Sequence, residues 1–100
     1  MTTKRAFIAG CGAVSPYGAG VELFWNSLRS GKSGLKPITR FDATPYRNTL
    51  GGEVPDFAAT AHLTPVDSRA FVFLLEACKE ALSDAYLGDA PIGMVFGTNF

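Results

Sequence analysis

Two short segments, Ala6-Phe7-Ile8-Ala9-Gly10 near the start and Ile92-Gly93-Met94-Val95-Phe96 near the end, are free of polar side chains throughout. An uninterrupted apolar run of that length, bounded by turn residues, predicts a strand buried on both faces, as in a parallel sheet covered by helices. Such strands need neighbouring strands and a layer on each face, so they demand an α/β architecture with right-handed crossovers.

The segments between them fit that demand. Cys11 to Gly20 holds three further glycines, Pro16 and Ser15, and reads as a loop. Val21, Phe24, Trp25 and Leu28 then recur at helical spacing, with Glu22, Asn26 and Arg29 opposite and Gly31 placed to supply a left-handed stop. This predicts an amphipathic helix of about three turns. From Ser33 to Phe57 no period is sustained, and Pro37, Pro45, Pro55 and the Gly51-Gly52 pair interrupt the chain. The stretch is too rich in large apolar residues for a flexible linker, so it reads as an irregular excursion that packs on the body of the protein.

Thr64-Pro65-Val66-Asp67 reads as a helix start, with Thr64 as N-cap, Pro65 in the first helical position and Asp67 as the acidic partner. Phe71, Leu74, Leu75, Cys78, Leu82 and Ala85 form the stripe of this second helix. Ala70, Ala77 and Ala81 widen it until burial over much of the circumference is expected. Gly88 and Pro91 are the expected end. The order is thus strand, helix, excursion, helix, strand, a mainly parallel α/β unit whose sheet would have open edges after Phe96. Residues 1–100 read as part of a domain, cut off after the second expected strand.

Composition narrows the function classes. Hydrophobic residues make up 47% and charged ones 18%, which describes a globular chain able to bury roughly two thirds of its extended surface if compact. Nine basic and nine acidic side chains cancel, so no long-range field favours nucleic acid or an anionic membrane. The apolar run after Arg5 is too short for a signal-peptide core, and nothing approaches a membrane span, so a cytoplasmic location is expected. Cys11 and Cys78 are distant and belong to no Cys-x-x-Cys pair. Two buried, reduced thiols are expected, without disulfide or zinc.

Several stretches, in order and at matching spacing, resemble the N-terminal region of the β-ketoacyl synthases, the condensing enzymes of fatty-acid and polyketide synthesis. They are Phe7-Ile8-Ala9-Gly10-Cys11-Gly12-Ala13-Val14-Ser15-Pro16-Tyr17-Gly18, then Phe24 to Leu35 with its Gly31-Lys32-Ser33-Gly34 exit. Ile38-Thr39-Arg40-Phe41-Asp42 and Gly52-Glu53-Val54-Pro55-Asp56-Phe57 follow. Glu80-Ala81-Leu82-Ser83-Asp84-Ala85 and Ile92 to Thr98 complete the match. One departure stands out. The family's Arg-Met-Asp-Arg-like stretch entering the second helix corresponds here to Asp67-Ser68-Arg69-Ala70-Phe71, which keeps one arginine.

The resemblance implies a thiolase-like fold, of which this chain would form part of the first half. It also implies an acyl carrier protein as partner, and a homodimer or heterodimer in the parent protein. The family's chemistry transfers an acyl group to a cysteine thiolate, decarboxylates malonyl-carrier protein and joins the two, with no metal or organic cofactor. Its cysteine and two histidines fall beyond Phe100, so the resemblance places no catalytic residue on this chain, and the fragment alone is expected to be inactive. Phe100 aligns with a position near the acyl pocket, where a bulky side chain would shorten the acyl group accommodated; packing under the sheet is the alternative. A non-catalytic, chain-length-determining partner subunit of the same fold fits the altered Arg69 region as well.

Other residues invite chemistry on weaker grounds. Cys11 stands beside two glycines with no base nearby in sequence, and Cys78 lies on an apolar stripe, so neither reads as a nucleophile. His62, the only histidine, reads as a solvated loop residue. Gly10-x-Gly12-x-x-Ser15 would suit a stand-alone nucleotide-binding module. Against this, Ser15 replaces the third glycine and the helix opens only near Gly20. Gly31-Lys32-Ser33 follows a helix where a phosphate loop would open one. Trp25 and Phe24 read as core residues.

Overall fold

The computed structural model describes residues 3–60, 63–64 and 68–98. Both expected helices form. α1 spans Val21–Arg29 and α2 spans Arg69–Ala85. α1 ends as its sequence predicts, with Gly31 in the left-handed region at φ 71° and its N–H donating to the Leu28 carbonyl at 3.1 Å.

α2 departs from expectation at both ends. Its N-cap is Ser68 rather than Thr64, and the Ser68 hydroxyl accepts from the Phe71 N–H at 3.2 Å. Pro65 and Asp67 lie outside the described residues. At the other end the left-handed stop is Tyr86, at φ 53°, two residues before Gly88. Tyr86 is 90% exposed, and its left-handed backbone carries the local Cβ cost that a glycine would avoid.

The sheets differ more. β1 (Val14–Ser15) and β2 (Gly18–Ala19) form a tight antiparallel hairpin around Pro16-Tyr17, extended by the Gly20 N–H donating to the Ala13 carbonyl at 2.8 Å. Within the excursion, β3 (Lys36–Pro37) pairs antiparallel with β4 (Leu50–Gly51), and a short 3-10 turn follows at Ala58–Thr60. No parallel ladder exists among the described residues, and the two segments taken for buried strands, 6–10 and 92–96, join no sheet. Phe7 is 82% exposed and Val95 fully so. The apolar pattern reports what those segments need on either side, and the described residues supply no strand beside them.

The same shortfall shows in burial. The accessible surface is 8482 Å², against roughly 5,500 Å² for a compact monomer of this size. The radius of gyration is 17.1 Å, where about 13 Å is usual. The chain therefore buries about 45% of its extended surface in place of the expected two thirds. Ala43, still 7% exposed, is the one buried apolar residue among those described, and no residue of α2 is buried. Phe71, Leu74, Leu75 and Leu82 on its stripe are 42–61% exposed, and Phe24 and Trp25 of α1 are likewise open. These helices present core-type faces that the described residues leave uncovered.

Candidate functional site

The most closely built part of the molecule is the joint between the glycine turn, α1 and α2. Here the backbone of residues 10–12 lies directly on α2. A Cβ at Gly12 would stand 1.8 Å from the Ala77 carbonyl oxygen, and one at Gly10 would stand 2.2 Å from that of Ala81. Only hydrogen fits at either position. Ala77 and Ala81 are small and one turn apart, so they let the two backbones meet.

Glu80 ties the joint together from α2. One carboxylate oxygen accepts from the Ala13 N–H at 2.9 Å and the other accepts from the Val21 N–H at 3.0 Å. Val21 is the first residue of α1, whose N-cap, Gly20, has no side chain to offer. Glu80 thus performs the capping across a gap of 59 residues, and its charge sits where the positive end of the helix dipole favours it. Sequence reasoning missed this. Glu80 stood in a stretch matched to the family, but no local period marks a cap supplied by another helix.

That geometry argues against the nucleotide-binding reading. α1 does open soon after the glycines, yet the position a phosphate would take at its N-terminus is filled by the chain's own carboxylate. The glycines are needed for contact with α2, and the third position, Ser15, is buried inside the hairpin turn, its hydroxyl accepting from the Tyr17 N–H at 3.3 Å. Gly31-Lys32-Ser33 is a helix exit: the Lys32 N–H donates to the Ser27 carbonyl at 3.1 Å, and the Tyr17 hydroxyl donates to the Lys32 carbonyl.

The two thiols separate. Cys11 is exposed, a correction to the expectation of burial, and it borders an open cleft with Val21, Trp25, Glu80 and Asp84. Cys78 is half-buried on the face of α2 that meets residues 92–96. Among the described residues, the ionisable side chains lining that cleft beside Cys11 and Tyr86 are the carboxylates Glu22, Glu80 and Asp84, without the His, Lys or Arg that activates a cysteine nucleophile. His62 and Phe100 lie outside the described residues. Among the described residues no group of three His, Cys, Asp or Glu could hold a metal ion, and no helix is long and apolar enough to cross a membrane.

Arg69, the arginine that remains in the altered polar stretch, faces the excursion. Its guanidinium donates to Asp56 Oδ1 at 3.0 Å and to the Val54 carbonyl at 3.1 Å, and lies 5.1 Å from the centre of the Phe73 ring. Glu53 organises the excursion from within. Its carboxylate accepts from the Thr39 N–H, the Thr39 hydroxyl and the Arg40 N–H, at 2.7–3.0 Å. Those bonds, the Thr39 hydroxyl foremost and then the Arg40 amide, hold its pKa below the ordinary value.

The described residues assemble no reaction centre, and residues 3–99 match the family model for the β-ketoacyl synthase N-terminal domain. The chain belongs to the β-ketoacyl synthases. It is 41% identical to a 3-oxoacyl-[acyl-carrier-protein] synthase 2 from Coxiella burnetii, over 98% of this chain and 26% of that protein. A protein of the same name from Synechocystis is 36% identical over 95% of this chain and 25% of its own length. The tetracenomycin polyketide synthase ketoacyl synthase alpha subunit of Streptomyces glaucescens is 35% identical, over 95% and 24%. The chain therefore spans about a quarter of the length of these synthases. Membership carries the thiolase-like α/β fold class, while the details drawn from sequence, a mainly parallel sheet between two buried strands, are absent from the described residues.

Proposed function

We propose that the chain is the N-terminal part of a condensing enzyme that elongates acyl chains by decarboxylative condensation of acyl and malonyl thioesters on acyl carrier protein. The observation that carries this reading is the match along residues 3–99 to the synthase N-terminal domain, with relatives named as acyl-carrier-protein and polyketide synthases. The open faces of α1 and α2 support it, because they have the composition of a core without its burial. In this reading the remainder of the synthase covers them and brings the nucleophilic cysteine and its histidine partners. The working enzyme is a cytoplasmic dimer that needs neither metal nor organic cofactor.

Residues 1–100 alone are then inactive, since no described residue combines nucleophile, base and oxyanion donors. Incubating the purified chain with acyl- and malonyl-carrier protein should release no carbon dioxide above the uncatalysed rate. Reading the frame beyond Phe100 in the native source tests the larger claim. A cysteine at a strand-to-helix junction followed by two histidines establishes the condensing enzyme. The same frame with another residue, such as Gln, at that position identifies a non-catalytic chain-length partner, and a stop directly after Phe100 ends the enzymatic reading. Phe100 itself is proposed to border the acyl pocket. Phe100→Gly in the complete enzyme would lengthen the preferred product, and an unchanged product profile would remove it from the pocket.

A further inference from the structure

The excursion is built as a unit of its own. The β3–β4 ladder and the Ile38 N–H to Thr49 carbonyl bond at 2.9 Å close one end. Glu53 gathers Thr39 and Arg40, Asp42 Oδ1 accepts from the Thr44 N–H at 3.1 Å, and Asn48 accepts from the Leu50 N–H at 3.0 Å. All of these bonds are local. Among the described residues, two seats join the unit to the rest of the molecule. Pro16 of the glycine turn fits between Gly34 and Gly52, where added Cβ atoms would stand 2.9 and 3.0 Å from its ring. The other seat is Arg69 at the start of α2, joined by the Phe57 and Phe73 rings at 6.1 Å between centroids.

We propose that residues 36–60 form a releasable strap and that Arg69 is its latch. The guanidinium reaches two acceptors on separate residues of the strap, Asp56 and Val54, while its face rests on Phe73 of its own helix. Its side chain is 24% exposed against 75% for Asp56, so the arginine is the sheltered member of the pair. Arg40 stands 3.7 Å from the same Asp56 oxygen and draws that carboxylate toward the strap as well. An arginine fork with two acceptors and a ring beneath it fixes direction, which a lysine cannot do. Each terminal nitrogen of the guanidinium donates one bond to the strap, so this arginine serves the strap. Because Asp56 is open to solvent, the latch should yield to salt.

The test is limited chymotrypsin cleavage at Phe57 in the full chain, with exchange of the Phe24 amide in α1 as internal control. Arg69→Ala should speed cleavage about five- to tenfold and leave Phe24 exchange unchanged. Arg69→Lys should recover only part of the protection, since the ammonium keeps the charge but not the fork. Raising salt from 0.05 to 0.5 M should speed cleavage of the unmodified chain and have little effect on Arg69→Ala. Equal cleavage of the unmodified and Arg69→Ala chains would overturn the proposal. So would a matching rise in Phe24 exchange, which would mean general loosening, or full protection by Lys. An unmodified chain cut as fast as a denatured one would overturn it too, because nothing would then be latched.

Discussion

Two glutamates do the same chemistry in different places. Glu80 and Glu53 each gather backbone amides on one carboxylate, yet Glu80 joins segments 59 and 67 residues apart whereas Glu53 reaches back only 13 or 14. Around Glu80 the partners are helices and a turn in backbone contact, with room for hydrogen alone at Gly10 and Gly12. Around Glu53 they are solvated residues of a strap with its own local bonds. The joint is specified by tertiary fit and the strap by local hydrogen bonding. The same acid should therefore matter far more in the first place than in the second.

The largest effect that could break this contrast is at Gly12. A methyl group placed 1.8 Å from a backbone oxygen cannot be accommodated by a side-chain rotation. α2 must move, and overpacking against rigid backbone costs about 3 kcal/mol or more. Gly12→Ala should abolish protection of the Ala13 and Val21 amides in hydrogen exchange. Retained protection would show that α2 is not held where the joint requires.

Next comes Glu80. Glu80→Ala removes two half-buried, charge-assisted bonds and leaves α1 without a cap, a loss of about 2–3 kcal/mol. Exchange at Val21 and Ala13 should rise by one to two orders of magnitude. Glu80→Gln should fall between, since one of its two terminal atoms is a donor facing a donor. If exchange at the two amides responds independently, the carboxylate is not bridging them.

How far these features could be read in advance follows the same division. The stripe of α1 and its stop at Gly31 are short-range patterns, and both were legible. The Thr64-Pro65 signal was a sound helix start by composition, but the Ser68 hydroxyl, three residues before Phe71, made the bond. Residues 6–10 and 92–96 carry a two-sided apolar pattern that becomes a strand only beside other strands, so their composition was legible and their pairing was not. Glu80 was invisible as a cap because its partners lie in other elements. Cys11 looked like a small core residue, yet its surroundings are an open cleft. Phe100, the one substrate residue expected from the family, falls outside the described residues, as does His62.

A gentler version of the Gly12 experiment sharpens the contrast. A Cβ at Gly52 would meet the Pro16 ring at 3.0 Å, a contact tight enough to be felt. Here the neighbour is a side chain under a strap whose bonds are local, so the strap can lift by a few tenths of an ångström. Gly52→Ala should therefore cost less than about 1 kcal/mol and leave the Ala13 and Val21 amides protected. A penalty rivalling that of Gly12→Ala would mean that the strap is as rigid as the joint.

The smallest effect concerns proton binding at Glu53. Its folded pKa lies below the ordinary value of 4.5, chiefly through the Thr39 hydroxyl and then the Arg40 amide. A depressed carboxylate pKa adds stability that is complete above the unfolded value and disappears as pH falls through the folded one. Between pH 7 and 5 the strap should thus be insensitive to Glu53, and the loosening should come only in acid. Followed by the carboxyl chemical shift, Glu53 should titrate with a midpoint below 4.5. Thr39→Ala, which deletes the leading cause, should bring the midpoint back up. Because Glu53 is half-buried among exposed partners in the strap, protonation should free Thr39 and Arg40 without disturbing α1. A midpoint that ignores Thr39 would show that the local network does not hold the carboxylate. Acid loosening that spreads to the Val21 amide would show that the strap and the joint unfold together, and the distinction between them would collapse.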